Sequence, residues 1–304
     1  MKQYIEPKIL QGTRDFLPED MAKRDYVMDK IKSVFVNFGY DTIQTPSIEY
    51  AETILGKYGD EATQPVYWFK DNGGRDIALR YDQTVPFARL MASNYKMLPM
   101  PFKRYQIGRV WRADRPAKGR YREFYQCDID IIGTKSLLAE SEIAAVMANV
   151  FQKLGFKNFV IKFNSRRLIN SILNSLGIRM PQHAAVIRIL DKLEKIGPES
   201  IIQELFLIIP AEAVRPLLTI VSVRGSTEEK LAQFKQYAVA EIEQFIALVA
   251  SFGISQDNLV FEPSLARGLD YYTGIIFEVF IPEVAIGAVC AGGRYDDLCS
   301  LFCP

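Results

Sequence analysis

Hydrophobic and polar positions along this chain follow two periods. From Pro18 to Phe38 the apolar residues recur at helical spacing, with Val27, Ile31, Val34, Phe35 and Phe38 on one stripe. That spacing predicts an amphipathic helix, with Pro18 in its first turn and Gly39 as its stop. "YDTIQTP" then reads as a short strand ended by Pro46, and "VYWFK", "DNGG" and "RDIALRY" read as strand, turn and strand. Thr84, with Pro86 two positions on, is expected to cap a helix that carries Phe87 to Met91.

A second, longer hairpin follows, from "KRYQIGRVWRAD" through a charged loop to "FYQCDIDII". The two-residue period puts Phe124, Gln126, Asp128 and Asp130 on one face of its return strand and Tyr125, Cys127, Ile129 and Ile131 on the other. Ser136 to Leu154 reads as a helix stopped by Gly155, and "FVIKF" as a strand. Short helical pieces fill Asn164 to about Val223, a long helix is expected over Glu228 to Phe252, and strand character returns in "LVFEPSLARGLDYYTGIIFEVF". Strands in hairpins with flanking helices, rather than a regular βαβ alternation, predict an α+β fold with an antiparallel sheet.

The 304 residues suggest two domains, or one large domain with an insertion. Apolar residues make up 49% and charged residues 24%, the proportions of a globular protein. The 37 Lys and Arg nearly cancel the 36 Asp and Glu, so contact with nucleic acid would have to come from a local cationic surface. No signal-peptide core and no apolar run of membrane-spanning length is present, so a cytoplasmic protein without a membrane partner is expected. Cys127, Cys290, Cys299 and Cys303 form no C-x-x-C pair, which signals neither a disulfide framework nor zinc. The one histidine, His183, excludes an H-E-x-x-H zinc site and is expected at a helix start or on the surface. Neither a Walker loop nor a G-x-G-x-x-G turn occurs, so any nucleotide phosphates would be held by side-chain cations on an antiparallel sheet.

"RADRPAKGRYREF" (Arg112 to Phe124) fits that requirement. Arginine grips phosphate oxygens with a planar fork, and several on rigid strand ends can hold a triphosphate. The same charges also fit a solvated loop whose arginines pair with Asp114 and Glu123. Phe124 on the polar face offers a flat surface for a base, with Gln126 and Asp130 beyond it for a polar or cationic small molecule. "RGLDYYTG" (Arg267 to Gly274) combines an arginine, a carboxylate and two tyrosines around glycines, and taken alone reads first as a bend between strands with tyrosine packing and second as a site. "AGGRYDDL" (Ala291 to Leu298) reads as a turn entering a helix.

Taken together these stretches resemble the histidyl-tRNA synthetases, a family of class II aminoacyl-tRNA synthetases. "QGTRDFLPED" is similar to the family's N-terminal signature, "GYDTIQTPSIEY" to motif 1, "LRYDQTVPFAR" to the amino-acid-site segment, "RVWRADRPAKGRYREFYQCDIDIIG" to motif 2 and "RGLDYYTG" to the histidine-specific signature. The resemblance implies the class II antiparallel sheet flanked by helices. It divides the chain into residues 1–164 and 226–304 as two parts of the catalytic core, with 165–225 as a helical insertion. It also implies a histidine–tRNA ligase with L-histidine, ATP and tRNA(His) as partners, Mg2+ as cofactor, no metal site from a protein motif, and a homodimer through motif 1.

By the same resemblance Arg112 contacts the ATP α-phosphate, Arg120 the outer phosphates, Phe124 stacks on adenine and Asp114 lines the ATP site. Asp82 and Thr84 would hold the substrate's ammonium group, and Gln126, Asp130, Tyr271 and Tyr272 its imidazole. Arg267 corresponds to the catalytic arginine near the α-phosphate and also lines the histidine site. The loop tip from Pro116 to Gly119 would meet the tRNA acceptor end. Motif 3 and an anticodon-binding domain are absent before Pro304, so the chain reads as a catalytic domain truncated before motif 3 and is expected to be weak or inactive alone. Two binders remain as alternatives: the histidine-sensing regulatory subunit of ATP phosphoribosyltransferase, and a non-catalytic tRNA-binding pseudo-synthetase.

Overall fold

A computed structural model describes residues 4–56, 66–237, 239–267, 271–284 and 286–302. The chain divides into two compact units, Met1–Thr134 with Leu298–Pro304, and Lys135–Asp297.

The first unit opens with α1 (Pro18–Asn37), where proline occupies the first turn and Glu19 and Asp20 face the positive end of the helix dipole. Its apolar stripe is buried only toward the C-terminal end. Val34 and Phe35 are covered, and Phe35 meets Tyr105 at 5.8 Å, whereas Val27 stays 40% exposed, against the sequence expectation. The helix therefore anchors by its last turns. "YDTIQTP" shrinks to the two-residue β1 (Asp41–Thr42), and β2 (Ile48–Tyr50) and α2 (Ala51–Leu55) follow.

β3 (Trp68–Lys70) and β4 (Asp76–Leu79) form the expected hairpin. Asp71 closes it, its Oδ1 accepting the backbone N–H of both Gly73 and Arg75 at 2.9 Å. Next come α3 (Thr84–Asn94), β5 (Phe102–Trp111) and β6 (Glu123–Ile132). β5 and β6 pair antiparallel over ten residues each, from Phe102 opposite Ile132 to Trp111 opposite Glu123. One sheet has the order β1-β5-β6 and another β2-β4-β3. The β1–β5 pairing is parallel, which the hairpin pattern did not anticipate.

The second unit begins with α4 (Leu138–Lys153), which ends before Gly155 at φ +93° as the glycine stop predicts. β7 (Val160–Ser165) leads into α5 (Arg166–Ser175), capped by the Ser165 hydroxyl, which accepts from the Arg167 N–H. α6 (Met180–Leu190), α7 (Leu193–Ile196), α8 (Pro198–Phe206) and α9 (Ala211–Val221) make up the predicted helical stretch. The expected long helix is instead two, α10 (Thr227–Phe234) and α11 (Ala240–Ser251). The break follows Phe234, whose ring is fully buried edge-on to Phe261 at 5.6 Å; the chain turns there, with Tyr237 donating its N–H to the Phe234 carbonyl.

The apolar run after α11 also divides, into β8 (Leu259–Phe261) and β9 (Ile275–Phe280), and β10 (Cys290–Gly293) completes a sheet of order β10-β9-β7-β8. β7 and β8 run parallel and the other two pairings antiparallel. Phe163 lies 5.1 Å from Phe245 and 5.9 Å from Phe261, and Phe245 lies 5.6 Å from Phe277, which seats α11 on this sheet. Burying each such ring contributes about 1.5–3 kcal/mol. His183 stands in the first turn of α6, the helix-start alternative, but is buried there rather than at the surface, its ring nitrogens 3.0 Å from the Asn170 amide oxygen and the Ile178 carbonyl.

Candidate functional site

In the first unit the β5–β6 hairpin sets out the polar face predicted from its period. Phe124, Gln126, Asp128 and Asp130 stand opposite Val110, Gly108, Gln106 and Arg104. Gly108 is required there, because a Cβ would fall 2.7 Å from Arg80 Nη2 and 3.3 Å from Gln83 Nε2. Arg80, Asp82 and Gln83, from the segment entering α3, are all buried. Arg80 donates to the carbonyls of Arg109 (2.7 Å) and Thr45 (2.9 Å), and Gln83 to that of Gly108 (3.0 Å). The segment is thereby tied to β5.

Arg112 sits just past β5. Its Nε donates to the Tyr81 carbonyl at 3.3 Å, and its guanidinium lies 4.3 Å from the Tyr81 ring centre and 5.1 Å from that of Phe124. Cation and flat ring are thus neighbours. The loop folds back through paired backbone bonds between Ala117 and Arg120, with Gly119 at φ +76°. Arg120 faces Asp114 at 3.6 Å and remains 66% exposed, so this pair leaves most of its charge in water. Arg115 and Lys118 are exposed beside it.

Asp130 is buried and paired with Arg104, which is fully buried, donates to the Gln83 carbonyl at 3.3 Å and lies 4.6 Å over Phe87. Among the described residues, two further nitrogens of Arg104, Nε and Nη1, and the side-chain oxygens of Gln83 and Gln126 are buried without a hydrogen-bond partner. Buried donors and acceptors in that state each cost free energy until something polar meets them.

Thr84 does not cap α3. Gln83 occupies the cap position, and the Asp82 carboxylate, the stronger acceptor, receives the Val85 N–H at 3.0 Å. Asp128 is the residue that the assignment of roles passed over. Desolvation drives its carboxyl up to about 7; Arg104 opposes this, Asp130 and Asp82 reinforce it, and Arg112 opposes it. The sequence offered only its place on the polar face beside Gln126 and Asp130; the pairing of β5 with β6 and the approach of Asp82 are what gather the charges around it.

In the second unit Arg267 has φ 47°, a left-handed backbone that costs a residue with a side chain about 1–2 kcal/mol. Its Nη1 donates to Glu278 Oε1 at 3.0 Å, and its guanidinium lies 5.8 Å from the Tyr272 ring centre. Burial works against its charge, yet Tyr272 and Glu278 hold its pKa above the ordinary arginine value. Tyr271 and Tyr272 lie 4.6 Å apart, and Tyr271 meets Tyr295 edge-on at 6.0 Å. The structure therefore brings the three predicted residues of this segment together, while positions 268–270 of the motif lie outside the described residues. "AGGRYDDL" enters no long helix. Arg294 instead bridges Glu140 (2.8 Å) and Asp296 (2.8 Å), and the Thr273 hydroxyl donates to Asp296 at 2.6 Å. Among the described residues no group of three His, Cys, Asp or Glu could hold a metal ion.

A family model described as histidyl-tRNA synthetase matches residues 12–303. The chain is 40% identical over 317 residues to a histidine–tRNA ligase of Treponema denticola, an alignment that covers 99% of this chain and 70% of that protein. Among solved structures, the histidyl-tRNA synthetase from Nostoc sp. PCC 7120 is similar with a TM-score of 0.86 at 30% identity, covering 99% of this chain and 71% of the other. A Bacillus halodurans protein described as an ATP phosphoribosyltransferase regulatory subunit/histidyl-tRNA synthetase follows at 0.83 and 26%, covering 99% and 79%.

Proposed function

The chain belongs to the histidyl-tRNA synthetase family, and from that premise we propose that it activates L-histidine with ATP and passes the histidyl group to tRNA(His). The observation that carries this reading is the seating of Arg112 beside Phe124, at the head of a strand face that continues into Gln126 and Asp130. A phosphate-gripping cation next to a stacking ring suits a nucleotide, and the polar side chains beyond suit an imidazole.

In the first step an oxygen of the histidine carboxylate attacks the α-phosphorus of ATP in line, and pyrophosphate leaves with the electrons of the broken P–O bond. A hydroxyl of the tRNA's terminal ribose then attacks the carbonyl carbon of the adenylate, and AMP departs. Neither step requires a protein nucleophile, since positioning and charge stabilisation carry such chemistry. Arg112 takes the α-phosphate, Arg120 the outer phosphates and Phe124 the adenine, with Asp114 lining the site. Asp82 and Thr84 hold the ammonium group; it is the Oδ1 of Asp82 that accepts the Val85 N–H, and the carboxylate's charge suits an ammonium. In the first unit Gln126 and Asp130 are assigned to histidine binding by the resemblance, and in the second unit Tyr271 and Tyr272 are assigned to the histidine pocket and Arg267 to the catalytic cation. The Mg2+ that the family implies would ride on the nucleotide's phosphates, neutralising their charge, as Mg2+ commonly does. A cytoplasmic location fits this role.

Histidine-dependent ATP–pyrophosphate exchange tests the reading. Arg112→Ala and Arg267→Ala should each lower it roughly 10²–10³-fold, the scale for removing one transition-state donor. Exchange within about threefold of wild type would overturn that assignment. A histidine-sensing role is the second reading, favoured by the likeness to the Bacillus halodurans protein. It predicts histidine binding without adenylate formation.

A further inference from the structure

Arg267 alone among the described non-glycine residues has a positive φ. Such an outlier persists only where its surroundings hold it in place, and outliers of this kind gather at functional sites. Two residues of the same unit hold this one, and a third fixes the segment that leads into it. Asn164, buried near the end of β7, donates through Nδ2 to the carbonyls of Pro263 (3.1 Å) and Leu265 (2.9 Å). Arg166, buried as the first residue of α5, donates through Nη2 to the carbonyl of Arg267 itself at 2.6 Å. Glu278, on β9, accepts from the Arg267 guanidinium at 3.0 Å. Backbone and side chain of Arg267 are thus gripped from a helix start and a strand, the segment before it is tied to β7, and among the described residues its Nε–H is buried without a partner.

A purely structural account has difficulty with this arrangement. A bend between strands is made most cheaply with glycine, and one stands next in the sequence at position 268. Buried ion pairs are also weak devices for stability, since apolar residues of similar size commonly serve as well. A cation aimed at charge that appears during reaction, by contrast, gains its effect from being fixed before the reaction starts.

We propose that Arg166 and Glu278 are positioning residues that fix the Arg267 guanidinium in the orientation needed for adenylate formation, Arg166 through the backbone carbonyl and Glu278 through the side chain. This rests on the catalytic reading of Arg267 given above. Glu278 turns one edge of the guanidinium toward β9 and so fixes the direction in which the rest of it points. Arg166 keeps the backbone from relaxing out of the left-handed region and carrying the side chain away.

The test is histidine-dependent ATP–pyrophosphate exchange on the full chain, with Tm measured alongside. For Glu278→Gln, kcat should fall about tenfold while KM for histidine and ATP stays within about twofold, the signature of an interaction lost mainly in the transition state. In an Arg267→Ala background Glu278→Gln should cost nothing further, because its effect passes through that side chain. Arg166→Ala should lose activity and Arg166→Lys should recover part of it, since an ammonium can also reach the carbonyl. Should turnover be too slow to follow, the affinity of the same variants for a non-hydrolysable histidyl-sulfamoyl-adenosine should fall in the same pattern. An undiminished kcat in Glu278→Gln, an equal loss with and without Arg267, or losses that merely track Tm overturn the proposal. If Arg267→Ala itself leaves exchange intact, the assignment of Arg267 fails first and the positioning proposal falls with it.

Discussion

At the scale of single residues, Asp128 shows what a neighbourhood does to a side chain that sequence can only place. The two-residue period put it on the correct face beside Gln126 and Asp130, but nothing local says that Arg104 is committed across the ladder to Asp130. Desolvation therefore raises its carboxyl to about 7, against the pull of Arg104 and with the help of Asp130 and Asp82. A carboxyl raised in the folded state holds a proton that the unfolded chain has already released, so its ionisation weakens the fold as pH climbs from about 4 to about 7. Replacing Asp128 by Asn removes that loss. The Tm of Asp128→Asn should thus exceed wild type by a margin that grows between pH 4.5 and 7 and then levels off. A margin constant across this range would mean that Asp128 titrates like an exposed aspartate. The placing of Phe124 and Gln126 on one strand face was legible because residue type and strand period coincide there. The partners of Arg104, Arg166 and Glu278 were not, since each is brought by long-range pairing.

Among the elements, the β5–β6 hairpin was the most legible, because alternation over ten residues admits one register and one sidedness. The break between α10 and α11 was hidden: the helical period runs through it, and only the burial of Phe234 against Phe261 selects two helices over one. The docking of the N-terminal segment on the charged loop was hidden too. Arg122 donates its N–H to the Gly12 carbonyl at 2.7 Å and its guanidinium to the carbonyls of Gln11 and Asp114 at 3.1 Å. Arg14 lies 3.5 Å over the Tyr121 ring. Gly12 makes this possible, with φ +87° and no room for a side chain, since a Cβ would sit 2.9 Å from both Arg122 Cγ and Pro116 Cγ. The segment acts as a strap that orders the loop carrying Asp114 and Arg120. Gly12→Ala should raise KM for ATP about fivefold with a smaller effect on kcat, the pattern of lost ground-state binding. An unchanged KM for ATP would show that the loop holds its shape without the strap.

At the scale of the whole molecule, a formal net charge of +1 leaves recognition to local surfaces, and the chain presents two kinds. One is the cationic loop with exposed Arg115, Lys118 and Arg120, suited to an RNA end. The other is apolar. On the β2-β4-β3 sheet, Ile48 stands opposite Leu79, while Tyr50 and Phe69 both stand opposite Ile77, so the five share one face. Ile48, Tyr50 and Phe69 are 47%, 54% and 45% exposed. Water-facing rows of this kind on a strand surface are unusual unless another surface covers them. The face contains Ile48 and Tyr50 of the segment resembling motif 1, and the homodimer expected from that resemblance would seat a second copy of the chain on it. Under a two-fold axis one patch serves both partners, so a charge placed there is met by its own copy and repelled. Tyr50→Glu combined with Phe69→Glu should convert a dimer to a monomer in sedimentation velocity at micromolar concentration. The fold should survive, because exposed positions of this sort change stability by about 0.5 kcal/mol or less. A wild-type chain already monomeric under those conditions, or a double variant that stays dimeric, would place the interface elsewhere.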